Sequence, residues 1–275
     1  MENDDNNPPL FYVLFLRHGF SIANLAKALS HRGVLWLHGS PRTCQSVKNE
    51  FCTDAALTAP GREQGRAAGR RVSKTLGRAL RLHHAEVFSS GLTRAVQTAE
   101  EFVLGSDGAF QARATPLPFI GERRVRACGC LVLDRDNEVQ SLEKIRARVG
   151  RGFSVVPWPV PLAAGCHGWE EPDLDAFQTT LVPLLATRAQ TTDSNAVVVV
   201  SHKKTLKQLL GLTLRNGEIA VQGFDPATGR LVGPATLLDG YKIKRTTVHQ
   251  AFRSPTNLQS AVSDRVDNPL VYGTY

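Results

Sequence analysis

The sequence predicts an α/β fold in which a sheet is covered by helices on both faces. Two observations carry that expectation. Continuous apolar runs of strand length occur at Leu10–Leu16 (LFYVLFL) and Ala196–Ser201 (AVVVVS). A strand buried on both faces reads as such an unbroken run rather than as an alternation. Between the two runs, segments of helical periodicity alternate with short strand-like ones from residue 10 to residue 214, the pattern of strands joined by crossover helices. In sheets of this kind, ligands bind beyond the carboxyl ends of the strands.

The elements follow in order. Residues 1–9 are polar, end in Pro8-Pro9, and read as a disordered leader to a domain spanning 10–250. After the first strand, Ser21–Ser30 places Ile22, Leu25, Ala26 and Leu29 on one helical face. Residues 31–53 show no period and read as an irregular insert. Thr58–Leu82 is the longest helical pattern, with Thr58 as cap, Pro60 in the first turn, and Ala68, Val72, Leu76 and Leu80 as its apolar stripe. Beside that stripe runs a basic row (Arg62, Arg66, Arg70, Lys74, Arg78), the pattern of a solvated face. Ala85–Ser89 reads as a strand, Thr93–Val103 as a helix, and 111–120 as extended chain. Asp173–Gln190 reads as a helix kinked at Pro183. Lys203–Leu214 is an amphipathic helix, 217–249 suggest two more strands, and 251–275 form an extended tail.

Composition excludes several classes. The 275 residues allow one large domain or two small ones, and 42% hydrophobic with 21% charged residues excludes wholesale disorder. No apolar run approaches the ~20 residues of a membrane helix, so no membrane partner is expected. The polar, acidic start is the opposite of a signal peptide. Five scattered cysteines, an odd number, fit a reduced chain and a cytoplasmic location. Cys128-Gly-Cys130 lacks zinc-ligand spacing; neither a metal nor a cofactor is assigned. The formal charge of +8, from 33 basic and 25 acidic residues, points to an anionic partner.

Chemically loaded residues stand just past the strand ends: Arg17-His18-Gly19, Ser89-Ser90 leading to Arg94, and Ser201-His202. If those strands are parallel neighbours, two histidines and two arginines meet in one pocket. The ordered set Leu16-Arg17-His18-Gly19-x-Ser21-x-x-Asn24, Asp54-x-x-Leu57-Thr58-x-x-Gly61-x-x-Gln64, Ser89-Ser90-x-x-x-Arg94-Ala95-x-Gln97-Thr98-Ala99, Gly121-Glu122-Arg123 and Ser201-His202 resembles the histidine phosphatase superfamily, in its phosphoglycerate mutase-like branch. It spans about three-quarters of the chain.

The resemblance implies a three-layer sandwich with a mostly parallel central sheet flanked by helices. It implies a metal-independent phosphomonoester hydrolase of the histidine acid phosphatase type, with a phosphorylated small molecule or phosphoprotein as substrate. His18 would be the nucleophile and form a phosphohistidine. Arg17 and Arg94 would grip phosphate oxygens with planar forks. His202 would bind the same phosphate as a protonated imidazole. Glu122 would protonate the leaving oxygen and then activate water, which requires desolvation to raise its pKa against neighbouring arginines. Asn24, Ser21, Arg123 and Lys203 would contact substrate, and residues 123–175 would form a variable lid.

Three departures matter. Phe20 stands where phosphoglycerate mutases carry Glu, which argues for hydrolysis over mutase-type phosphotransfer. Lys203 stands where the family usually has a small residue. Arg123, Arg124 and Arg126 crowd the start of the lid. A non-catalytic phosphate- or polyanion-binding protein on the same fold is the alternative. No nucleic-acid-binding motif accompanies the charge, and nothing in the sequence sets the oligomeric state.

Overall fold

The computed structural model describes residues 11–25, 54–117 except 78, 143, 146–156 except 151, and 174–238 except 192. The expected leader, the 31–53 insert, most of the lid including Glu122 and Arg123, and the tail lie outside the described residues.

The elements are β1 (Phe11–Arg17), α1 (Ala59–Leu76), β2 (Val87–Ser90), α2 (Thr93–Gly105), β3 (Arg113–Leu117), β4 (Ser154–Val155), α3 (Leu174–Thr191), β5 (Ala196–Ser201), α4 (Lys203–Leu210), β6 (Ile219–Asp225) and β7 (Arg230–Leu237). A single helical turn follows β1 at 22–25, and a short 3-10 turn spans Leu82–His84. The strands form one seven-stranded sheet in the order β4-β3-β2-β5-β1-β6-β7. The pairs β1–β5, β5–β2, β2–β3 and β3–β4 are parallel, while β6 and β7 add antiparallel at one edge. The sheet is therefore mostly parallel, as expected.

Side-chain alternation along the strands divides the core into two layers. Leu14, Leu16, Val198 and Val200 pack with Ala68 and Val72 of α1 and with Ala95, Ala99 and Phe102 of α2. Val13, Phe15, Val197 and Val199 face the other way, against Leu185 of α3 and Leu206 of α4. All four valines of β5 are fully buried, each worth about 1.5–3 kcal/mol relative to an exposed side chain. This central strand ends on Ser201, so burial fixes the place from which His202 emerges.

Helix ends explain where the sequence pattern runs too far. Thr58 caps α1 by accepting a hydrogen bond from the Gly61 amide at 3.2 Å, with a proline in the first turn. The helix stops at Leu76, short of the expected Leu82, and Arg81 takes a left-handed φ of 49° just before the 3-10 turn. The helix expected to reach Leu214 ends at Leu210, where Gly211 takes a left-handed φ of 67° and closes the last turn. Pro183 lies inside α3, which runs through it to Thr191. Leu92 cannot cap α2, and Asp54 substitutes from a distant loop. Its carboxylate accepts from the Thr93 amide at 2.7 Å and from the Thr93 hydroxyl at 2.5 Å.

The basic row of α1 is not simply a solvated face. Arg62 donates to the buried Glu101 carboxylate at 2.8 Å, and Arg66 Nε does so at 2.5 Å. Arg70 pairs with Glu63. The spacing hid the Arg62 and Arg66 contacts because Glu101 lies on α2, 39 and 35 residues away in the chain. The two helices approach closely through Gly65 and Gly69 of α1 and Gly105 of α2. A Cβ on Gly69 would stand 1.9 Å from the Phe102 carbonyl oxygen, and one on Gly105 would stand 2.2 Å from that of Arg66. Both contacts are with backbone, which cannot swing aside. Gly69→Ala is therefore expected to cost about 1–3 kcal/mol of stability, the range for overpacking a filled interface. Chemical denaturation measures it, and an unchanged midpoint would refute the close contact.

Candidate active site

The three strands that lead into the chemically loaded turns are adjacent and parallel, with Arg17 level with Ser201 and Ser89 level with Val200. The condition set by the sequence is met, and the loops open at the same edge of the sheet. His18, Arg94 and His202 are all buried there, with exposures of 3%, 4% and 0%. The His18 and His202 ring centroids lie 5.0 Å apart with the planes tilted by 54°.

His18 is held by its own loop. Its amide donates to the Ser201 carbonyl at 3.0 Å, tying β1 to the strand that delivers His202. Its Nδ1 lies 2.7 Å from the Gly19 carbonyl oxygen. A carbonyl only accepts, so Nδ1 carries the proton and Nε2 keeps its lone pair. Burial, then the Arg94 and Arg17 cations, push the His18 pKa well below the ordinary imidazole value of 6.5, against the raising effect of the Gly19 carbonyl. At neutral pH this favours the uncharged ring, with the Nε2 lone pair retained.

His202 is shifted the same way in the ligand-free pocket. Burial comes first, followed by Arg94, His18 and Arg17, and together they drive its pKa well below 6.5. Two imidazoles beside two guanidiniums cannot both take protons in a dry pocket. His202 precedes α4 with extended backbone, at the helix's N-cap position.

Arg17 is half-buried, and its guanidinium donates to the Leu214 carbonyl at 2.8 Å, which fixes one arm of the fork. Asn24 and Ser21 form a reciprocal cap. The Ser21 amide and hydroxyl both donate to Asn24 Oδ1 at 3.1 Å, and the Asn24 amide returns a bond to the Ser21 hydroxyl at 3.3 Å. The Ser21 side chain is fully buried in this cap. Lys203 is exposed, on the first residue of α4. Glu122 and Arg123 lie outside the described residues.

Several residues that hold the site had no assigned role in the sequence reading. The Gly19 amide donates to Thr98 Oγ1 at 3.0 Å, and that hydroxyl donates to the Arg94 carbonyl at 2.6 Å. The Phe20 amide donates to Gln64 Oε1 at 2.8 Å, and the Phe20 carbonyl accepts from the Thr58 amide and hydroxyl. Asp54, Thr58, Gln64 and Thr98 stand in the quoted motifs, so position marked them although chemistry did not. Gly19 is a residue that geometry demands, since a Cβ there would come within 2.2 Å of the Gly61 carbonyl oxygen.

Comparison with known proteins follows the geometry. A family model described as histidine phosphatase superfamily (branch 1) matches residues 34–117, a span that holds the Asp54–Gln64 and Ser89–Ala99 motifs. No curated protein matches the chain by sequence. The crystal structure of the ecdysone phosphate phosphatase from Bombix mori in complex with tungstate is 16% identical. The match covers 85% of this chain and 95% of that one, with a TM-score of 0.53, which marks a shared fold. A mycobacterial hydrolase matches at 17% identity over 90% of this chain and 99% of that one, TM-score 0.45. A phosphoserine phosphatase from Entamoeba histolytica, in complex with 3-phosphoglyceric acid, matches at 16% over 84% and 98%, TM-score 0.42. Among the described residues, no helix is long and apolar enough to cross a membrane, and no cluster of three or more potential metal ligands occurs.

The two depressed histidines make stability depend on pH. Below pH 6.5 the unfolded chain takes up protons that the folded pocket refuses. Stability is therefore fully present above 6.5 and falls with acidification, by about 1.4 kcal/mol per pH unit for each histidine. Denaturation midpoints measured from pH 7.5 to 5 should show this fall. Replacing His18 and His202 together with glutamine should flatten it; an equally steep dependence in the double variant would refute the assignment.

Proposed function

We propose that the chain is a histidine phosphatase, as its match over residues 34–117 suggests, and a metal-independent phosphomonoester hydrolase working through phospho-His18. The observation that carries the reading is the His18 ring: buried, with Nδ1–H fixed on the Gly19 carbonyl so that Nε2 keeps its lone pair, and held towards the neutral form by burial and by the Arg94 and Arg17 cations. In this reading Nε2 attacks phosphorus, the P–O ester bond breaks, and the alcohol leaves with a proton from the Glu122 carboxyl. Water then attacks the phosphohistidine while the Glu122 carboxylate takes its proton, returning His18 and releasing inorganic phosphate.

Phosphoryl transfer spreads negative charge over the equatorial oxygens, so the protein's main task is to hold donors there in advance. Arg17 and Arg94 supply fixed cations, Asn24 a neutral N–H donor, and His202 a neutral imidazole N–H. A dianionic phosphate would oppose the arginines' field and raise the His202 pKa towards its ordinary value. Phe20 favours water over a second phosphoryl acceptor. The substrate is a phosphomonoester, and the setting is the reducing cytoplasm that the scattered cysteines suit.

Purified protein should hydrolyse para-nitrophenyl phosphate with EDTA present. His18→Ala should lower turnover by several orders of magnitude, as removal of a nucleophile does. Rapid acid-free quenching should trap an acid-labile phosphoenzyme in the wild type only. Undiminished turnover in His18→Ala would overturn the mechanism. Phosphate binding without turnover in the wild type would assign the non-catalytic role instead.

A further inference from the structure

One side chain outside every quoted motif touches the site at three points. Asn216 sits in the turn between α4 and β6, and its Nδ2 lies 2.9 Å from the His18 carbonyl oxygen, 3.2 Å from that of Gly19 and 3.3 Å from Asn24 Oδ1. Two of these acceptors have a second duty. The Gly19 carbonyl is the one that takes the His18 Nδ1 proton. Asn24 Oδ1 also accepts from the Ser21 amide and hydroxyl.

We propose that Asn216 is a positioning residue that sets both the tautomer of His18 and the orientation of the Asn24 amide. The inference rests on the reading of His18 as nucleophile. A peptide carbonyl fixed by an Asn216 N–H cannot swing out of the imidazole plane, so Nδ1 stays the protonated nitrogen and Nε2 the reactive one. Three donors converging on Asn24 Oδ1 settle which end of that amide is oxygen. Its two Nδ2 hydrogens then point away from Ser21 and Asn216, and among the described residues none accepts them. They are donors held ready for an anion.

The turn that carries Asn216 is itself locked to β1. The Arg17 amide donates to the Glu218 carbonyl at 3.1 Å, the Gly217 amide donates to the Arg17 carbonyl at 3.0 Å, and the Arg17 guanidinium reaches the Leu214 carbonyl. Gly217 has φ 75°, and a Cβ there would meet the Gln64 side chain at 2.8 Å. The Arg215 amide and Glu218 carboxylate close the turn at 2.6 Å. Residues 214–218 thus form a buckle across 17–19, and Asn216 is its side-chain tongue.

The test reads the ring directly. In the full chain with 15N-labelled histidine, His18 should show a protonated Nδ1 and an unprotonated Nε2. Asn216→Ala should add signal from the Nε2–H tautomer, weaken inorganic phosphate binding several-fold and lower kcat on para-nitrophenyl phosphate at least tenfold. Asn216→Asp keeps the shape and volume but turns a donor into an acceptor facing three acceptors, so it should fail in the same way even if the alanine variant does not fold. Wild-type ring signals and phosphate affinity in either folded variant, or an Nε2–H tautomer in the wild type, would overturn the proposal. Neither readout needs turnover, so an inactive wild type would sink the hydrolase reading and leave this one standing on its own measurement.

Discussion

The structure depends on burying a turn of backbone where no secondary structure can satisfy it. Residues 18–20 leave β1 and pass beneath α1, and their amides and carbonyls lose water. An unpaired buried peptide group costs about as much as a lost hydrogen bond. The three amides are each met by a different element. The amide of His18 uses β5, that of Gly19 uses Thr98 of α2, and that of Phe20 uses Gln64 of α1. The carbonyls take Asn216, the His18 ring and Thr58. Only with α1, α2, β5 and the 214–218 turn all in place is this loop satisfied, which makes the position of His18 a readout of the whole fold.

The same burial sets the electrostatics. A phosphate site needs fixed positive charge, yet clustering cations in a dry pocket opposes folding. The chain resolves this by keeping both imidazoles neutral beside Arg94 and Arg17. In the proposed mechanism neutral His18 is also the reactive form, so the desolvation that costs the protein two proton sites would leave a lone pair for phosphorus. The stability penalty and the chemistry have one cause, and an entering dianion relieves the field that creates it.

Much of this was legible in the sequence and some was not, for identifiable reasons. β1 and β5 announced themselves because strands buried on both faces are continuously apolar. His18, Arg94 and His202 were placed by following residues past strand ends. Helix limits were missed where local signals beat periodicity: Gly211 ended α4 four residues before the apolar pattern did. The Gly65 and Gly69 spacing stood in the sequence, but which helix they would admit did not. Asn216 carried no signal beyond an Asn-Gly turn, because its partners are backbone carbonyls nearly 200 residues away. Pairings of that range belong to topology, and a periodicity cannot encode them.

The net charge illustrates how such pairings change a reading. A surplus of cations suggests ligand binding, but the placed ones divide between two tasks. Arg62 and Arg66 close on buried Glu101 in the middle of α2, and Arg148 joins Asp54 and Thr93 at its N-terminus. Gln97 ties in the 54–58 loop through the Leu57 amide and donates to the Arg148 carbonyl, while Glu100 accepts the Gly150 amide at 2.5 Å. With the glycine contacts to α1 added, α2 is clamped along most of its length. Arg94 is the second residue of that helix. Electrostatic catalysis works only if the charge does not have to reorganise as the reaction proceeds. The cations placed away from the pocket therefore serve Arg94, by removing the freedom of the helix that carries it.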